Sequence, residues 1–158
     1  MARALVLLLS LSIVAAGCGQ AAPSAAERYA QSVDGVQAGL TKAFAATAED
    51  AAPTGTPAGD DRTLGGYQRA VVLARTRLAA LTPPVQARAA HRELLAGIDG
   101  YVEVLDDART RLSHATVRDV PAVRARLESG LAAAAARLDR ARSALDRALR
   151  GATSGNGS

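Results

Sequence analysis

Two histidines, a lone cysteine and an arginine-dense C-terminal third are the side chains with chemistry to offer. His91 and His114 invite a metal, yet they fall on one predicted helix, 23 residues apart. At about 1.5 Å of rise per residue, that separates them by roughly 35 Å. Two ligands so far apart on one rod cannot share an ion. The positions three residues before them hold Arg88 and Arg111, so the Glu-x-x-His pattern of di-iron bundles is absent. No Cys-x-x-Cys-His run offers covalent haem attachment. Met1 is the only methionine, which removes Met/His haem ligation and Met-rich copper sites. No metal and no cofactor is therefore expected. Ser113 and His114 are sequence neighbours, and adjacent residues on a helix diverge, so they do not form a nucleophile and its base. No P-loop, nucleophile elbow or paired-acid motif is present. Asp106 and Asp107 read as a solvated face. The chain is not expected to be an enzyme.

Two features remain open. His91 falls on an apolar stripe, two turns into a helix that starts after Pro83 and Pro84. One reading is a partly buried histidine bonded to a backbone carbonyl or a carboxylate on a neighbouring helix. The other is a pH-sensitive or ligand-contacting group at one end of a bundle, with a cavity near His91, Tyr67 and Tyr101. The last predicted helix carries Arg124, Arg126, Arg137, Arg140, Arg142, Arg147 and Arg150 against Glu128, Asp139 and Asp146. Arg142 with Asp146, and Asp146 with Arg150, have i,i+4 spacing. Arg137, Arg140 and Arg147 form a stripe with no acid among them. They are either a solvated face or a contact for an anionic surface such as lipid headgroups or wall phosphate. Nucleic acid is not an expected partner, because the arginines are not interleaved with aromatics that could stack on bases.

The cysteine has the clearest setting. Arg3 and the amino terminus make a short positive region, and Ala4 to Ala16 carries no charge. This is the layout of a secretory signal, and its apolar run falls short of the roughly 20 residues that a spanning helix needs. Ala15-Ala16-Gly17-Cys18 resembles the lipobox of bacterial lipoproteins, with Ala15 where that family prefers Leu. The resemblance implies that residues 1–17 are a cleaved signal and that the Cys18 thiol carries a diacylglyceryl group. It also implies that the mature chain is held on the outer face of the cell membrane, or in an outer membrane if the host has one. Cys18 is the only cysteine, so no internal disulfide can form. Two acyl chains suffice for stable anchoring where one does not.

The elements that follow are helical. Aromatics are only 3% of the chain, and the 49% apolar content is dominated by alanine, the strongest helix former. After a tether at 18–23, Ser24-Ala25-Ala26-Glu27 is a capping box. Four helices are predicted, over about 24–49, 63–81, 84–115 and 120–150, each with one apolar stripe. Pro53, Gly55, Pro57 and Gly59 mark 51–61 as a flexible loop. Thr82-Pro83-Pro84 stops one helix and restarts the next. Asp119 is the expected N-cap of the fourth helix, whose stripe from Val120 to Ala148 is heptad-like. Gly151 is a natural stop, leaving 151–158 as a disordered tail. Gly35 with Gly39, and Gly97 with Gly100, suggest close helix approach. The expected fold is all-α, an antiparallel up-down-up-down four-helix bundle over 24–150. The alternative is three packed helices with the first loosely docked.

Of 19 basic residues only Lys42 is a lysine, and formal net charge is +4. The arginine and alanine excess is the signature of a GC-rich genome. With the lipobox and the Leu81-Thr82-Pro83-Pro84 to His91 helix start, the chain resembles the small Ala/Arg-rich helical lipoproteins of high-GC bacteria. That resemblance transfers no catalytic residues. It implies a non-enzymatic envelope lipoprotein that binds or scaffolds an envelope protein or an anionic wall polymer. Two other functions fit the same residues: a small-ligand binding or sensing bundle, and a self-associating coiled-coil spacer.

Overall fold

A computed structural model describes residues 22–51 and 55–154. The chain forms four α-helices: α1 (Ala25–Asp50), α2 (Pro57–Ala79), α3 (Arg88–Leu112) and α4 (Val120–Ser154). A 3-10 turn, Val85–Ala87, precedes α3. Among the described residues there is no strand. The helices pack against one another as a four-helix bundle, in the expected fold class. α2 lies on α1, α3 on α2 and α4 on α3, and α1 also touches α4.

α1 and α2 start at side-chain caps, whereas α3 starts at Arg88, four residues after the expected 84, behind the 3-10 turn and without a side-chain cap. The capping box forms in full: Glu27 N–H donates to Ser24 Oγ at 3.1 Å, and Ser24 N–H donates to Glu27 Oε2 at 2.7 Å. α2 begins at Pro57, six residues before the predicted 63, so half of the expected 51–61 loop is helix. Thr56 Oγ1 accepts from Gly59 N–H at 3.2 Å, and Pro57 takes the first helical position, where its missing N–H costs nothing. A proline read as a breaker is here a starter. Residues 52–54 lie outside the described chain.

α3 ends at Leu112 rather than 115, and Ala115 N–H closes a tight turn on Leu112 C=O at 3.2 Å. Asp119 does stand at the start of α4, where its carbonyl takes the first helical bond, from Val123 N–H at 3.1 Å. Its side chain turns the other way. Asp119 Oδ2 accepts from Thr116 N–H at 2.8 Å and from Thr116 Oγ1 at 2.7 Å, so it closes the interhelical turn instead of capping forward. α4 continues through Gly151 to Ser154, which corrects the expected stop. One glycine costs about 1 kcal/mol, too little to end a helix with no proline behind it. The expected tail shortens accordingly, and 155–158 lie outside the described residues.

The core is thin and alanine-rich. Leu78 and Leu145 are its most enclosed large side chains, and Ala87, Ala90, Ala134 and Ala141 are buried between helices. One cluster runs from Ala26, Tyr29 and Val33 through Leu78 and Leu94 to Leu145 and Leu149. A smaller one, Ala108, Leu112, Val120 and Val123, closes the opposite end. The stripe of α4 packs inside this one chain. On its turn of α3, Leu94 is buried and its neighbour Leu95 only partly so.

Ion pairs lace the outside. Arg75 joins Asp99 at 3.0 Å between α2 and α3, and Arg142 joins Asp34 at 2.7 Å between α4 and α1. Arg142 also makes the predicted contact with Asp146, at 3.1 Å. Exposed pairs of this kind contribute about 0–1 kcal/mol each.

Of the four suspected glycines, Gly97 marks the closest approach. A Cβ added there would lie 3.0 Å from Leu138 Cδ1 and 3.4 Å from Leu138 Cα. Nothing lies within 4 Å of the same position on Gly35 or Gly100. Gly97→Val is therefore expected to destabilise the bundle by about 1–3 kcal/mol through overpacking. Gly100→Ala, only a turn away, is expected to gain up to about 1 kcal/mol of helix propensity. Urea unfolding midpoints for the two variants check both signs.

Candidate functional site

His91 is buried, at 6% exposure, and is the only buried polar side chain of the described core. Its partner is neither a carbonyl nor a carboxylate. Tyr29 on α1 reaches across, and its hydroxyl lies 2.7 Å from His91 Nδ1. The rings meet edge to face, with centroids 5.9 Å apart. In the neutral tautomer protonated on Nε2, Nδ1 accepts from the phenol. Burial pushes the His91 imidazole below its ordinary value and the Tyr29 phenol above its own, with Arg142 drawing the phenol partly back. Both shifts favour the uncharged pair, and so does the hydrogen bond. The sequence places His91 and Tyr29 each on an apolar helical stripe but holds no signal that pairs them, 62 positions apart.

The other residues grouped with His91 are not brought to it. Tyr101 is ten residues along the same helix, about 15 Å of rise away. Tyr67 packs edge to face on Phe44, with centroids 5.0 Å apart. A hollow of about 250 Å³ lies at the opposite end, between Thr63, Leu64, Leu112, Val123 and Leu127. The Asp60–Arg124 ion pair, a two-pronged contact at 2.8 Å, stands in its wall. The hollow falls below the roughly 300–1,000 Å³ usual for small-molecule sites. Nothing in the sequence marks this hollow, because Asp60 stands in the Pro- and Gly-rich stretch that predicts a loop.

His114 is exposed on the turn after α3, at the far end from His91. Among the described residues no group of three or more His, Cys, Asp or Glu side chains could hold a metal. Asp107 meets Arg111 at 2.8 Å and Arg126 at 3.5 Å, and these arginines hold its carboxyl below the usual range. Asp106 accepts from Gln68 at 3.2 Å. Arg137, Arg140 and Arg147 are all exposed, and none makes an ion pair among the described residues. Cys18 and the rest of the lipobox lie outside the described residues.

Compared with known families, curated proteins and solved structures, the chain matches none.

The buried pair sets a pH dependence. The folded chain protonates His91 less readily than the unfolded chain does. Its contribution to stability is full above the unfolded histidine pKa of about 6.5 and is lost as pH falls through the lower folded value. His91→Gln is expected to flatten that acid-side slope. Tyr29→Phe, which strands Nδ1, is expected to cost about 1–3 kcal/mol at neutral pH. Urea unfolding on both sides of the transition reads both effects.

Proposed function

We propose that the chain is a lipid-anchored envelope protein whose helical bundle binds or scaffolds another component of the envelope, without catalysis of its own. The observation that carries this reading is the placement of Cys18. The sole thiol follows a short positive region, an uncharged apolar run and the small pair Ala16-Gly17. A chance cysteine would have the whole chain to fall in. Among the described residues no helix is long and apolar enough to cross a membrane. A diacylated Cys18 would supply the hold.

The bundle suits a scaffold. Its one buried polar pair is internally satisfied, and its arginines and carboxylates lie at the surface. The heptad-like α4 stripe, the feature behind a coiled-coil spacer, packs against the chain's own helices.

The test is the intact mass of the mature chain, extracted in detergent from its own host. The expected mass begins at Cys18 and includes acyl chains. Cys18→Ser is expected to leave an unprocessed precursor with no acyl mass. A mature wild-type chain starting elsewhere, or starting at Cys18 without lipid, would overturn the anchor.

A further inference from the structure

The antiparallel register gathers three segments at one end of the bundle: the start of α1, the connection between α2 and α3, and the end of α4. Tyr29 meets His91 and Asp34 meets Arg142 there, and Ala26, Ala87 and Leu149 share its core. Charge is divided unevenly along the bundle. The half made of 22–37, 75–99 and 135–154 carries ten arginines against six carboxylates. The other half, 38–74 and 100–134, carries eight basic residues against nine carboxylates. Helix dipoles do not create this difference, because two helices start and two finish at each end and their fields oppose.

The excess cations at the first end are open to solvent, with Arg28 Nη1 also donating to Pro23 C=O. Arg28, Arg77, Arg88, Arg92, Arg140 and Arg147 are all exposed, and none forms an ion pair among the described residues. Val85 stands at the extremity of this end, between Pro84 and the start of α3, and is 72% exposed, the most of any large hydrophobic side chain described. An exposed apolar side chain at an arginine-rich end matches a surface of anionic headgroups over an acyl interior.

We infer that this end of the bundle docks on an anionic lipid surface, with Arg28, Arg88, Arg92 and Arg147 on the headgroup phosphates and Val85 at the apolar boundary. The inference rests on the lipid anchor proposed above, and it adds an orientation. Covalent geometry limits the seven residues from Cys18 to the start of α1 to about 25 Å. The basic end is thus the one held near the bilayer, within a few screening lengths of about 8–10 Å.

The test uses the lipidated chain from its host, reconstituted into vesicles of phosphatidylcholine alone or mixed with phosphatidylglycerol. Cys18 is the only native cysteine, so once it is acylated Val85→Cys and Val117→Cys each offer one thiol for a fluorescent probe. Val117 is 63% exposed at the other end. On phosphatidylglycerol the probe at position 85 is expected to shift to the blue and to be quenched by a lipid-borne quencher. The effect should fade with added salt, and the probe at 117 should stay in water. Arg88→Gln and Arg147→Gln are each expected to lower the docked-to-undocked ratio by up to about fivefold. If the chain floats with both kinds of vesicle but the probe at 85 stays in water on each, the anchor stands and the docked orientation is overturned. A response of that probe only to an added phosphate-bearing wall polymer overturns it as well. A chain with no acyl mass and no flotation overturns the anchor and the orientation together.

Discussion

The approach of α3 to α4 at Gly97 and Leu138 governs the rest of the bundle. Alanines at Ala90, Ala134 and Ala141 let helices come close, and a missing Cβ at position 97 brings them closer still. That spacing leaves a core with few large side chains fully enclosed, Leu78 and Leu145 foremost. Such a core gains less from each residue buried than one rich in aromatics. The helices compensate by length and by intrinsic propensity, since alanine, leucine and arginine are all strong helix formers.

α3 is the member the others depend on. It lies against α2 and α4 along its length, and through His91 it also takes hold of Tyr29 on α1. A neutral histidine with a phenol is a modest interaction, but both groups are buried, so separating them would leave polar atoms without partners. The pair therefore fixes how α1 sits more than it strengthens the whole. The surface ion pairs between helices, such as Arg124 with Asp60, are individually weak and repeat the same register from outside.

Most of this was legible from periodicity. The capping box at Ser24, the restart after Pro84 and the buried stripe from Val120 to Leu145 follow from spacing and turn chemistry alone. The errors share a cause: a residue type with two local roles. Pro57 can break a helix or open one, and Thr56 beside it decides for opening. Asp119 can cap forward or bond backward, and Thr116 draws it backward. Gly151 can end a helix, but nothing after it competes with another turn. Leu94 and Leu95 are both compatible with an apolar stripe, and only packing in the core separates them. The Tyr29–His91 pair and the basic end were not legible, because each joins residues far apart in the chain. Arg88 and Arg147 come to the same end of the bundle only when the helices are folded back on one another.

The same folding back has a mechanical consequence. The chain from Cys18 enters α1 at the end opposite the α3–α4 turn at 113–119, so any load between a tethered Cys18 and something grasping that turn runs parallel to the helix axes. Load in that direction slides α1 along α2 rather than peeling it away one turn at a time. Contacts spread along the seam then bear the force together, including Val33, Phe44 against Tyr67, and the tight meeting of Thr47 with Gly66. A thin bundle held in that geometry resists tension better than its modest core would suggest.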